Sequence, residues 1–385
     1  MYEPFPGNYV WNLGVNICLC MGGAIGEIDR ANDEVREIAR EGADKGTAAF
    51  FESWGRMADR LVELGEECEA AGHDLSAGEK YRRATAYYMT AERMQARDYE
   101  PRKQMYRKML ETMQRAIDKS GLGWERVEIP FEGAHFPALF IPGEGEGPRP
   151  TMVFCNGLDS VKEMIALSIG DTFARRGISV LAVDQPGVGE ALRLNGLPAI
   201  HDTERWAGAA VDALEFRGDV DKDAIGMMGW SLGGYYAPRA SIYEKRFKLC
   251  VAWGANHNWG ELQSRRLKNE GENPVPHYWD HVMWVWGQPD METFMALMPK
   301  VTLNGHMDKM TVPFLITHGS NDRQIPREYA YQSRDQAVNS PCVELRLFSE
   351  REGGVEHCSA DNMEPVKSYI ADWVRDRFSE LDEAS

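Results

Sequence analysis

The chain has 385 residues, 43% of them apolar, which suffices for one large α/β domain with a smaller companion and excludes a disordered chain. Its formal charge of −17, with no basic patch to offset it, excludes nucleic acid and anionic membranes as partners and favours a neutral or cationic small molecule. The seven cysteines are odd in number and scattered, so a reducing, cytoplasmic compartment is expected rather than a disulfide framework.

Residues 9–25 are mildly apolar, but Asn12 and Asn16 interrupt them and no Lys or Arg precedes them, which argues against a signal peptide. No run reaches the length of a transmembrane helix. From Asp29 to about Ser120 the sequence reads as helical, with Met57, Leu61, Leu64 and Cys68 at helical spacing. Gly72 and Gly78 are expected stops and Ser76 an N-cap. A second helix carries Tyr81, Ala84, Tyr88 and Ala91, and a third carries Met105, Met109 and Met113. These stripes read as helix–helix packing, or as the roof of a site below.

After Gly123 the period changes. “ERVEIPF” and “PALFI” read as strands, and from Pro150 strands alternate with helices. The strands are “TMVFCNG”, “SVLAVDQP”, “AIGMMGWS”, “LCVAWGA”, “FLITHGS” and “VELRLF”; helices are expected at about 161–176, 203–216, 232–244, 327–338 and 363–378. Such alternation predicts an α/β fold, a mostly parallel sheet with helices on both faces. The predicted organisation is a helical N-terminal domain over residues 1–121 and a catalytic domain over 122–385, with 256–310 as a cap insertion.

The strongest chemical signal is Gly229-Trp230-Ser231-Leu232-Gly233, which follows a strand and opens a helix. That setting exposes a serine hydroxyl on a strained turn beside a helix N-terminus. A serine needs a base to take its proton, and the base an orienting acid. Asp322 follows the strand “FLITHGS”, and His357 lies in the Gly-rich loop after “VELRLF”, so Ser231, Asp322 and His357 are the expected triad. Asp308 and Glu356 compete as acids but follow no suitable strand, and His318 reads as a packed or supporting histidine. The N–H groups of Leu232 and Leu158 are the expected oxyanion hole. Ser160 and Glu163 match a capping box for the next helix. Asp159 places a carboxylate at the site mouth, or is a plain loop acid. Trp230, Tyr235, Trp253 and His257 are expected to contact the substrate, which the many rings near the cap suggest is bulky, flat or apolar. His277 and His281 lack a third ligand, and “DQPGVGE” lacks the third glycine of a dinucleotide cradle and reads as a loop. Neither a metal nor a cofactor is expected.

“CNGLDSVKEM”, “DQPGVGE”, “GWSLGGYYAPRA” and “VAWGANHNWG”, preceded by a helical segment, resemble the FrsA-like esterase family of the α/β-hydrolase superfamily. Within it the likeness is to 2,6-dihydroxypseudooxynicotine hydrolases and fungal polyketide-shortening hydrolases. The resemblance implies an α/β-hydrolase fold, a helical N-terminal domain over the site, and often a homodimer. It also implies cleavage of a carbon–carbon bond beside a ketone, assisted by an acid that is a glutamate in the pyridine-alkaloid enzymes and the shorter Asp159 here. The same family contains plain esterases and a regulatory partner protein. A carboxylesterase or lactonase with the same triad, and a non-catalytic binding protein, are therefore the alternatives.

Overall fold

The structure is a computed structural model that describes residues 1–41 and 47–384. Two compact units emerge: Met1–Trp124 together with Asn273–Val282, and Glu125–Glu272 together with Met283–Ser385.

The first unit is helical, with α1 Tyr9–Cys20, α2 Ile25–Asp33, α3 Thr47–Ala70, α4 Asp74–Arg93 and α5 Pro101–Ser120. The asparagines that break the apolar run of α1 have a structural use. Asn12 binds both backbone atoms of Phe5, and Asn16 binds both of Tyr2, so the extended N-terminus is tied along the helix. Asn8 caps the helix through the N–H of Trp11. In α3 the buried face is Phe50, Phe51, Trp54, Met57, Ala58 and Leu61; Leu64 and Cys68 of the predicted stripe are only half-buried. The expected residues of α4 and α5 are all buried, including Tyr81, Tyr88, Met105, Met109 and Met113. Two boundaries differ from expectation. Helix α4 starts at Asp74, before Ser76, and Gly78 lies inside it, where a side chain would strike Ser120 at the end of α5. Gly72, with φ of +75°, is the real stop.

The second unit is built on eight strands: β1 Glu125–Phe131, β2 Ala134–Ile141, β3 Arg149–Cys155, β4 Ser179–Val183, β5 Val220–Trp230, β6 Cys250–Trp253, β7 Phe314–Gly319 and β8 Val343–Phe348. Their order is β1-β2-β4-β3-β5-β6-β7-β8. Strand β2 pairs antiparallel with β1 and β4, and the rest pair in parallel. Strands β4, β6 and β7 are buried throughout, as expected of parallel strands covered on both faces.

The remaining helices are α6 Lys162–Ala174, α7 Gly189–Arg193, α8 Glu204–Glu215, α9 Gly233–Tyr243, α10 Trp259–Arg266, α11 Tyr278–Val285, α12 Met291–Leu297, α13 Arg327–Gln336 and α14 Glu364–Ala384; residues 278–282 of α11 belong to the first unit. Right-handed crossovers decide their faces. The step β3–α6–β4 runs toward one edge, while β5–α9–β6 and β7–α13–β8 run toward the other, so α6 covers the face opposite α9 and α13. Strand order therefore reverses at β3, and the crevice beyond the carboxyl ends of β3 and β5 is where such sheets place ligands. Between β6 and β7 the described residues form short helices and turns but no strand. No helix among the described residues is long and apolar enough to cross a membrane.

Candidate active site

Strand β5 ends at Trp230, and the chain turns at Ser231 with φ of +58° before α9 begins. That left-handed conformation is costly for a residue with a Cβ and is held by its surroundings. The Ser231 N–H donates to the Trp253 carbonyl at 3.0 Å, and its carbonyl accepts from Gly234 at 2.8 Å. Gly234 must be glycine, since a Cβ there would lie 2.2 Å from the Gly254 carbonyl oxygen.

The structure brings Ser231, His357 and Asp322 together from three separate segments. His357 Nε2 lies 2.8 Å from Ser231 Oγ, and its Nδ1 lies 2.9 and 3.1 Å from the two carboxylate oxygens of Asp322. The Asp322 side chain is fully shielded from solvent and also accepts the N–H groups of Gln324 and Ile325. Burial works against its charge, but the facing imidazole and these donors hold its carboxyl down at about 2. An ionised acid only accepts, so His357 Nδ1 carries the proton and Nε2 is left to take one from Ser231. On His357 burial again opposes charge, yet Asp322 and then Cys358 outweigh it and raise its pKa well above the usual histidine value.

His318 is buried in β7, donates toward the Ile325 carbonyl at 3.1 Å, and sits 3.8 Å from the Asp322 carboxylate. It supports the acid from behind. Glu356 is engaged by Asn321 and Arg323, and Asp308 lies in a short turn at Met307–Lys309.

Two residues that the sequence did not single out shape the His357 loop. Asp361 accepts three successive N–H groups, from Gly354, Val355 and Glu356, at 2.9, 3.2 and 2.8 Å. Cys358 has φ of +47°, and its Sγ lies 3.6 Å from His357 Nε2, the nitrogen that faces Ser231. Neither carries a local signal: Asp361 reaches back five to seven residues, unlike an Asx turn, and nothing marks Cys358.

After β3 the loop Asn156–Val161 lies directly against Ser231. A Cβ on Gly157 would stand 2.9 Å from the Ser231 Cβ, so only glycine lets the loop approach this closely. Leu158 follows it, and Leu232 leads into α9, where the first N–H groups of a helix have no intrahelical acceptor. Asp159 is the next residue of the loop and is partly exposed. The predicted capping box is not formed. Ser160 Oγ instead accepts from the Gly157 N–H at 3.0 Å and from the Trp230 indole at 2.9 Å, and α6 begins after Val161 with no side-chain cap.

The four residues expected to meet substrate are buried with their polar atoms turned to the protein. Trp230 is held by Ser160, and Trp253 donates to Ser359 Oγ. Tyr235 donates to the His201 carbonyl at 2.7 Å. His257 faces Ser333 Oγ and Asn304 Oδ1 with its two ring nitrogens, at 3.0 and 2.9 Å. Any contact they make with a ligand is therefore through ring carbon. Among the described residues no group of three or more His, Cys, Asp or Glu side chains is arranged to hold a metal.

A sequence profile described as esterase FrsA-like matches residues 45–267, more than half of the chain. The chain belongs to the FrsA-like esterase family. Among relatives of this FrsA-like protein, the 2,6-dihydropseudooxynicotine hydrolase of Paenarthrobacter nicotinovorans is 27% identical over 85% of this chain and 84% of its own. The hydrolase acrC of Aspergillus aculeatus is 26% identical over 71% of this chain and 74% of its own. The crystal structure of the 2,6-dihydroxy-pseudo-oxynicotine hydrolase superposes with a TM-score of 0.78, covering 94% of this chain and 95% of that one at 24% identity. AbyA5 superposes with a TM-score of 0.62 at 20% identity, covering 84% of this chain and 89% of that one. Those two structures share the α/β-hydrolase fold. The FrsA-like chain is accordingly an enzyme of the hydrolase class.

Proposed function

We propose that this FrsA-like chain is a serine hydrolase that cleaves a carbon–carbon bond beside a ketone in an aromatic or polyketide-like small molecule. The observation that carries the serine chemistry is the continuous line from Asp322 through His357 to Ser231 Oγ, with contacts of 2.9 and 2.8 Å. His357 takes the hydroxyl proton as Ser231 Oγ bonds to the ketone carbon, and the new alkoxide is held by the N–H groups of Leu232 and Leu158. Collapse of that alkoxide breaks the carbon–carbon bond. The electron pair leaves on the departing carbon, which takes the proton from His357, with Asp159 at the mouth to assist. Water, deprotonated by the same histidine, then attacks the acyl-serine and releases a carboxylic acid. A carbon leaving group is poor unless a ring or second carbonyl stabilises its charge, hence the proposed substrate class. Likeness to the 2,6-dihydropseudooxynicotine hydrolase over most of both chains supports the carbon–carbon reading.

The description of the matching family favours a second reading, a carboxylesterase or lactonase with the same triad and an alcohol leaving group. Turnover of a panel separates the two: p-nitrophenyl esters, a lactone, β-diketones and acyl-substituted dihydroxy-aromatic ketones, with products read by mass spectrometry. Cleavage of a ketone into an acid and a shortened partner, lost by roughly 10⁴-fold or more in Ser231→Ala, is the expected result. Efficient cleavage of esters alone would establish the esterase. Failure of Ser231 to react with a fluorophosphonate would refute the serine mechanism and turn attention to a binding protein.

A further inference from the structure

Strands β3 and β4 pair in parallel up to Cys155 opposite Val183, and beyond that rung the two chains separate. Asn156 leads into the loop that carries Gly157 and Leu158, while Asp184 and Gln185 continue from β4. At this divergence a side chain replaces the missing backbone partner. Gln185 Oε1 accepts from the Asn156 N–H at 3.1 Å, and Gln185 Nε2 donates to the Asn156 carbonyl at 3.0 Å. Both residues are wholly buried. The carboxamide has the same donor and acceptor as a peptide group, so it extends the β3–β4 ladder by one more rung.

The loop is fastened again at its far end. Ser160 Oγ accepts from Gly157, and Asp184 Oδ1 accepts from the Lys162 N–H at 2.7 Å where α6 begins. Between these fixed points the loop passes so near the nucleophile that a single methyl on Gly157 would collide with it. A shift of Asn156 is thus passed to Leu158 within two residues, with no slack to absorb it.

We propose that Gln185 is the positioning residue of the oxyanion loop: by clamping both backbone atoms of Asn156 it sets the Leu158 N–H at the distance from Ser231 that the alkoxide requires. This rests on the reading of Ser231 as nucleophile given above. Gln185 touches neither substrate nor reacting atoms and acts through the backbone alone. Donors aimed at a developing charge act only in the transition state, and misplacing a reacting geometry by about 1 Å costs on the order of 10² in rate.

The test is Gln185→Met, which keeps the length and buried volume but neither hydrogen bond, measured on the panel substrate that the wild-type protein turns over best. The expected result is a fall of about 10²-fold in kcat with KM changed by less than about threefold. An aryl trifluoromethyl ketone, which forms a tetrahedral alkoxide on serine, should lose affinity by the same factor, while the corresponding unreactive alcohol binds as before. A merely structural role would lower the unfolding midpoint without separating these two ligands. Should Gln185→Met fail to fold, Gln185→Asn retains an amide but is one methylene too short to reach both atoms, and it should show the same split at smaller size. Full kcat in a folded Gln185 variant, while Ser231→Ala is inactive, overturns the positioning role and leaves the serine reading standing. Full turnover by Ser231→Ala overturns both.

Discussion

Two clusters of buried charge lie at the carboxyl ends of this sheet, and they are built to opposite ends. At β3 and β4, Lys162 is 1% exposed and its ammonium touches Asp184, Glu163 and Glu190. Asp184 also accepts the N–H groups of Lys162 and Glu190, and Arg126 binds Glu190 through two nitrogens. Both oxygens of Asp184 and of Glu190 are engaged, and the chain is fixed. At β5, β7 and β8 the Asp322 carboxylate is just as buried, yet it faces a histidine whose other nitrogen meets a hydroxyl able to give up its proton. There the backbone is strained, with positive φ at Ser231, Cys358 and Ser359. One cluster buries charge to hold a loop still; the other buries it so that a proton can move. The difference is the partner set: an ammonium among acids is a far weaker acid than they are and keeps its proton, whereas an imidazole between an acid and an alcohol can exchange one.

Asp322→Asn should leave the fold intact and lower kcat by about 10⁴-fold, because the amide favours the wrong tautomer of His357. The pH profile sharpens this. Since the His357 pKa is raised above its usual value, chiefly by Asp322 against the effect of burial, the acidic limb of kcat/KM in the wild-type protein should lie above pH 6.5 and move lower in the residual activity of the variant.

Lys162→Met attacks the other cluster and should act on stability instead. It leaves Asp184 and Glu163 buried without their cation, at a cost of about 3–5 kcal/mol, read as a drop in the urea midpoint with an unchanged slope. An equal loss in kcat with no loss of stability would erase the distinction between the clusters.

The smallest effect is expected at Glu163, where one carboxyl oxygen has no hydrogen-bond partner. Burial raises its pKa to about 7 despite the neighbouring Lys162. The folded chain therefore holds this proton where the unfolded chain has released it, so stability falls as pH rises from about 4.5 to about 7 and stays lower above that. Glu163→Gln should flatten this part of the stability profile by about 1–3 kcal/mol, seen as a smaller difference between unfolding midpoints at pH 5 and pH 8.

Much of the second unit's fold was legible in the sequence because its signals are local. Six largely apolar runs and two alternating ones, “ERVEIPF” and “VELRLF”, announce eight strands, and Gly229 to Gly233 after such a run announces the elbow. The order of serine, acid and base follows from which strand each one trails. The fastening of the loop after β3 was not legible. “DQPGVGE” reads as a loop, yet its Asp184 binds the start of α6, its Gln185 binds Asn156 just past β3, and Gly189 opens the helix α7. Ser160 and Glu163 have the spacing of a capping box, but Ser160 is drawn to Gly157 and Trp230, and Glu163 to Lys162. At Ser160 local propensity gave way to a tertiary partner 70 residues distant, and at Glu163 to an ion pair with the residue beside it.

The sequence by itself determined the period of each element, the strained turn at Ser231 and the candidate residues in their order, since these depend on neighbours a few positions apart. The tertiary structure decided which polar atoms meet: His357 with Ser231 across 126 residues, Gln185 with Asn156 across 29, and Cys358 beside the imidazole. Such pairings are set by strand order and loop closure, and a buried donor takes whichever acceptor the packed sheet brings within reach.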